Sequence, residues 1–280
     1  MEFRKVPRSG DGFSDRLASR FLAICAGVSV SLLGAIFLVL LVRSFPILVS
    51  WSSLEVLLPY AGVTILTGAL GTFFGFGPAL GLSLYLFEYP QSLFARFMMR
   101  VLHIAARVPT VVYGFFALTV VTPLLSTILG DYRLLGYNTL SPSLATGLLI
   151  IPLMTKAMLE SLGRADRNLR LTGMSLGISS FTGLVTLVVP AARWGIGAGV
   201  LIGFSRGIGQ TMISALAGGS GEFVSLLQPA QSLAGFIVSS STGVLSPGTP
   251  EYSGVFFAGL LLFTLSFGAA AGAKILENKE

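Results

Sequence analysis

Cysteine and histidine are almost absent from this chain: Cys25 and His103 stand alone. A single thiol excludes a disulfide scaffold, and one Cys with one His cannot build any common metal cage. Charge is scarce too, at 11% of 280 residues, where a soluble domain carries about a quarter. Disorder is excluded by the 21 Phe and the abundant Leu, Val and Ile. No Gly-x-Ser-x-Gly elbow occurs, and a Ser/His/Asp triad would have to use His103 at a membrane boundary. The ordinary reading of that histidine is an interfacial or satisfied polar residue. There is no Gly-x-x-x-x-Gly-Lys-Ser/Thr loop, so the chain does not itself hydrolyse ATP by that route.

Long apolar runs take up most of the chain. A helix crosses the hydrocarbon core with about 20 apolar residues, and residues 21–42, 56–87, 108–130, 134–155 and 252–273 are runs of this kind without charge. The first exceeds a signal-peptide h-region. The second is too short for two spans and reads as one long or tilted helix. Residues 171–192 also lack charge, but eight of the thirteen residues 171–183 are Gly, Ser or Thr, poor material to face hydrocarbon. The segment 162–189 is therefore placed outside the membrane, and a fifth span is expected from about Pro190 to about Gly218. That makes six spans.

Lys and Arg concentrate on the cytoplasmic side of membrane proteins. With six spans and both termini cytoplasmic, all of the 18 Lys and Arg fall on that side except Arg43, Arg133 and Arg206. A seven-span chain would move Arg193, Lys274 and Lys279 outside. Topology thus accounts for the net charge of +6, and nucleic acid is not implied. The twelve acids all lie outside the spans, which disfavours a proton relay. The expected organisation is a cytoplasmic tail over 1–20, a transmembrane domain over 21–280, a cytoplasmic loop over 162–189 and an external loop over 219–251. The external loop has a weak amphipathic pattern around Phe223–Ile237.

Arg206 is the one charge inside a span. It sits about 24 Å along the helix from Pro190, where a lone guanidinium costs several kcal/mol. It is expected to face a bundle interior, a water-filled path or a neighbouring subunit, with Gln210 one turn on along the same face. Two readings fit: an anion contact through its planar fork of donors, or a structural Arg satisfied by backbone carbonyls. Gly195, Gly199, Gly203 and Gly207 form an i, i+4 series on the same span, which suits close helix packing. Gly68, Gly71 and Gly75 suggest a second packing face, and Pro123 and Pro152 are candidate kinks.

Four segments resemble the inner-membrane permease subunits of phosphate ABC importers of the PstC type. They are Leu86-Phe87-Glu88-Tyr89, Ala106–Gly114 (Ala-Arg-Val-Pro-Thr-Val-Val-Tyr-Gly), Leu176-Gly177 followed by Val188–Ala192 (Val-Val-Pro-Ala-Ala), and Arg206–Met212 (Arg-Gly-Ile-Gly-Gln-Thr-Met). The resemblance covers nearly the whole chain beyond the N-terminal tail. It implies an all-α, six-span permease of the type I ABC importer fold in the bacterial inner membrane. Its implied partners are a second permease of the PstA type, two ATP-binding subunits and a periplasmic or extracellular phosphate-binding protein. The resemblance implies phosphate as the substrate and no cofactor on this chain, with ATP and Mg on the ATPase subunits. By position, the resemblance places Arg206, Gln210 and Thr211 on the substrate path, and Arg170, Leu171, Thr172, Gly173 and Gly177 in the loop that docks on the ATPase.

Two departures from the family pattern stand out. The docking loop of the family reads Glu-Ala-Ala, three residues, then Gly; here it reads Leu171-Thr172-Gly173, and Gly177 alone matches. Gln210 replaces a glutamate, so the pair with Arg206 is expected to be a net positive site with an extra amide donor. A permease for a different oxyanion and a regulatory or assembly permease with weakened coupling both remain open.

Overall fold

The computed structural model describes residues 13–49, 51–130, 136–165, 169–243 and 249–279. Among them the regular elements are all helical. In hydrocarbon every backbone N–H and C=O must be paired within its own segment, and helices do that. In chain order they are α1 (Phe13–Val49), α2 (Trp51–Glu88), α3 (Leu93–Ala105), α4 (Thr110–Leu129), α5 (Leu140–Ala165) and α6 (Leu169–Ser175). There follow α7 (Ser180–Ala191), α8 (Arg193–Gly209), α9 (Met212–Ala217), α10 (Leu233–Ser241) and α11 (Pro250–Glu277). Helix α1 starts at Phe13, inside the expected tail, and α2 is continuous through Pro59 and Pro78.

Five of these helices are long and apolar enough to cross a membrane, and six if α7 and α8 count as one broken span. The span expected from about Pro190 to about Gly218 does not form as one helix. The chain bends by 70° between α7 and α8 and α8 stops at Gly209. Pro190 explains the upstream half. Proline cannot donate to the helix ladder and its ring crowds the carbonyl one turn back, so the turn widens to a π segment over Leu184–Val188 with Val189 N–H donating to Leu184 O. Pro123 does the same in α4, after a π segment over Ala117–Val121 with Thr122 N–H on Ala117 O. At the bend the buried Ala192 carbonyl accepts from Ser161 Oγ of α5 at 3.3 Å.

Helices α2, α5 and α8 form the centre. Ala79 of α2 packs with the fully buried Ile150, Met154 and Met158 of α5, and Ile196 and Val200 of α8 close the cluster. Helix α11 lies on α8, and α1 lies outermost on α11 through contacts such as Phe37 on Phe263. Most of the described apolar side chains of α1 are exposed, as on a lipid-facing helix, while Ile47 is buried against Leu57 and Phe257. The 219–251 segment does not simply stand outside the bundle. Its helix α10, capped by Ser232 Oγ accepting from Gly235 N–H, buries Leu233 and Ala234 against Ile208, Ala258 and Leu262. Leu233 N–H donates to Thr64 Oγ1 of α2 at 3.0 Å.

Glycine permits the central crossing. A Cβ on Gly75 would lie 3.0 Å from the Gly147 backbone oxygen, and one on Gly147 would lie 3.0 Å from the Gly71 oxygen. Backbone cannot yield as a side chain can, so Gly75→Ala is expected to destabilise the chain by about 1–3 kcal/mol. Gly34→Ala, whose Cβ would meet nothing within 4 Å, should leave stability unchanged or slightly raised. Thermal unfolding of the two variants in the same detergent checks the contrast.

Candidate functional site

The glycine series of α8 faces inward. Gly195, Gly199, Gly203 and Gly207 are all buried. A Cβ would lie 3.0 Å from Met158 Cγ at Gly199, 2.6 Å from Met154 Cγ at Gly203, and 3.4 Å from Gly68 Cα at Gly207. This close approach brings the end of α8 against Thr146 of α5. The Thr146 methyl would sit 2.9 Å from a Cβ on Gly71 and 3.4 Å from one on Gly207, so a single buried threonine fills the junction of three helices.

The helix breaks there. Gln210 takes an extended backbone conformation and Thr211 starts the short helix α9. The buried Gln210 amide donates from Nε2 to Thr146 Oγ1 at 3.1 Å and to Ser214 Oγ at 3.2 Å. Its Oε1 accepts from Ile213 N–H at 2.9 Å, pairing one of the orphan N–H groups at the start of α9. Gln210 therefore does not share a face with Arg206, and its amide is not a spare donor. The break ends the helical register that would have aligned the two side chains. Arg206 itself is exposed, in the last turn of α8, and makes no hydrogen bond or ion pair among the described residues. Its charge complements the partial negative end of that helix. Thr211 is half-buried beside the break. Ser205 Oγ, the neighbour of Arg206, donates to Ser266 O of α11 at 2.8 Å, which anchors this end of α8.

At the other end of α8 lies the loop expected to dock an ATPase. Arg167 and the side chains of Arg170 and Leu171 lie outside the described residues. Thr172 is exposed and Gly173 is buried beneath Leu187, whose Cδ1 would be 3.0 Å from an added Cβ. Gly177 has φ +78°, in the left-handed region that glycine enters freely. It ends α6 as a helix C-cap does, with Gly177 N–H on Met174 O and Ile178 N–H on Gly173 O. Ser179 then caps α7 through Thr182 N–H. One tie had no clear sequence signal: Ser180 Oγ donates to Glu88 Oε1 at 2.7 Å, joining α7 to the end of α2. Thr146 was equally silent in the sequence, one buried hydroxyl among many.

No family model matches the chain. Its fold is that of an ABC-transporter permease. It superposes on a chain of the MetNI methionine ABC transporter, solved in inward-facing conformations, with a TM-score of 0.56 over 81% of this chain and 99% of that one, at 16% identity. With five or six helices long and apolar enough to cross a membrane, the chain is a multi-pass membrane protein of that fold. At the level of sequence it is similar to the phosphate transport system permease PstC of Xylella fastidiosa, 24% identical over 76% of this chain and 71% of that protein. It is also 22% identical to PstC of Mesorhizobium japonicum, over 91% of this chain and 85% of the relative.

Two substitutions test the geometry. Thr146→Val keeps the shape but removes the acceptor of the Gln210 amide, and is expected to cost about 1–3 kcal/mol in the unfolding of the purified protein. Gly177→Ala forces a side chain into the left-handed region at about 1–2 kcal/mol. Hydrogen exchange over residues 169–183 should quicken in that variant while exchange in α5 stays the same.

Proposed function

We propose that this chain is one of the two membrane permeases of an ATP-driven phosphate importer in a bacterial inner membrane. The observation that carries the proposal is Arg206, an exposed guanidinium with no partner among the described residues, on the helix whose other end follows the 162–189 loop. The curated relatives are phosphate transport permeases, which supports an oxyanion as the species that meets it. The chain binds no cofactor in this reading. ATP and Mg belong to two ATP-binding subunits docked under α6, a PstA-type permease supplies the other half of the path, and a phosphate-binding protein delivers the anion to the 219–251 side.

The chain's own residues then link the two ends. Closure of the ATPases displaces α6 and α7. The Ser180–Glu88 and Ser161–Ala192 hydrogen bonds pass that displacement to α2, α5 and the bend at the base of α8. Helix α8 moves with Arg206, so the anion meets a different set of contacts in each state, which alternating access requires. A regulatory permease is the second reading. It is favoured by the absence of an acidic residue from α6, where the resembling family carries glutamate.

The test is ATP-dependent phosphate uptake into liposomes holding the whole co-purified complex. Arg206→Ala is expected to lower uptake by at least about tenfold, the worth of one charge-assisted hydrogen bond, with assembly intact. Unchanged uptake would make Arg206 structural. No uptake by the wild-type complex would move the assignment to another oxyanion or to the regulatory reading.

A further inference from the structure

Helix α3 is set apart from the bundle. Ala95 is its one buried residue. At about 100° per residue, Arg96, Arg100 and His103 fall within about 60° of one another. Leu93, Phe94, Phe97, Val101 and Ile104 occupy the adjoining third, and Ala95 and Leu102 turn to the protein. The apolar third is open: Phe94, Phe97 and Ile104 are 52%, 57% and 67% exposed. A strongly amphipathic helix with cations beside exposed aromatics lies in a membrane interface. Ser92 fixes its start, Oγ accepting from Ala95 N–H at 3.0 Å. The hydroxyl of Tyr113 donates to Ala105 O at 3.0 Å and ties its end to α4.

The cations also line a concavity. A recess of about 480 Å³ between α3 and the ends of α2 and α5 is bounded by Arg96, Arg100 and His103, with Leu86, Ala95 and Leu159. A smaller adjoining recess of about 120 Å³ adds Lys156 beside His103. Residues 89–130 contain no Asp or Glu, and Arg96, Arg100 and His103 have no hydrogen bond or ion pair among the described residues. On α5, Glu160 lies 4.0 Å from Lys156, with both side chains exposed. Glu88, at the end of α2, accepts from Ser180. Along the other flank of α3 a groove of about 510 Å³ is lined by Val101, Ile104, Val112, Tyr113, Phe116 and Leu148. One side of the helix therefore presents unpaired positive charge and the other an apolar channel, which complements a molecule with an anionic head and hydrocarbon tails.

We propose that α3 binds an anionic phospholipid, its headgroup phosphate held by Arg96, Arg100 and His103 and an acyl chain laid in the groove along α4. Each Arg near an anionic headgroup strengthens binding by about fivefold. The test is native mass spectrometry of the full-length protein titrated with phosphatidylglycerol or phosphatidylcholine. Wild type should bind phosphatidylglycerol more tightly than phosphatidylcholine. The Arg96→Gln/Arg100→Gln double variant should lose about 25-fold of that affinity, while Arg193→Gln, near the same membrane face but outside the recess, should keep it. Both Arg96 and Arg100 are exposed, and an unchanged unfolding temperature confirms that the double variant folds. Three results would each overturn the proposal: equal binding of the two lipids, full affinity in the double variant, or displacement of the lipid by inorganic phosphate, which would make the recess a free-anion site.

Discussion

The close approach of α2, α5 and α8 is the constraint on which the rest of this protein depends. Hydrocarbon supplies no hydrophobic force to press one apolar helix against another, so association rests on dense packing and on hydrogen bonds between helices. Gly71, Gly75 and Gly147 let α2 and α5 bring their backbones together, and Gly68 and Gly207 do the same for α2 and α8. Thr146 occupies the point where the three meet. Its methyl fills the gap the glycines leave, and its hydroxyl accepts the Gln210 amide. Packing and polar satisfaction are solved there by one side chain.

That junction allows α8 to end inside the protein. Four carbonyls at the end of a helix and four N–H groups at the start of the next have no partner within their own helices, and lipid offers none. Gln210 covers one such N–H and joins the broken chain to α5. At the opposite end the bend at Ala192 is supported in the same manner by Ser161. Helix α8 is thus a short rigid rod held at both ends by α5. The proline-widened π turn in α7 lies just outside the lower attachment, between the loop and the rod.

The periphery follows different rules. Helix α1 touches mainly α11 and turns large apolar side chains outward, which is stable where lipid is the solvent. Helix α3 has cations as well as apolar side chains on its surface, a composition suited to the boundary between lipid and water. Helix α10 is the reverse case, drawn into the bundle by Leu233 and Ala234 although its sequence context is rich in Gly, Ser and Thr. Its first backbone N–H groups are covered by Ser232 and Thr64, so the polar cost of entry is met.

Composition alone determined that this is a multi-pass helical protein, because apolar runs of that length have no other stable use in water or lipid. The i, i+4 glycines of α8 were legible for the same reason: a period of that kind puts small residues on one face whatever the surroundings. Four short segments resemble phosphate-importer permeases in order and spacing, and PstC proteins are 22–24% identical to the chain. Tertiary structure decided where helices stop. Residues 190–218 read as one apolar span, yet the helix breaks at Gln210, whose amide meets Thr146 sixty-four positions away. The Glu88–Ser180 tie and the insertion of α10 are contacts of the same long-range kind. A periodicity reports which residues share a face of one helix; which hydroxyl a distant amide will meet is settled only when the helices pack.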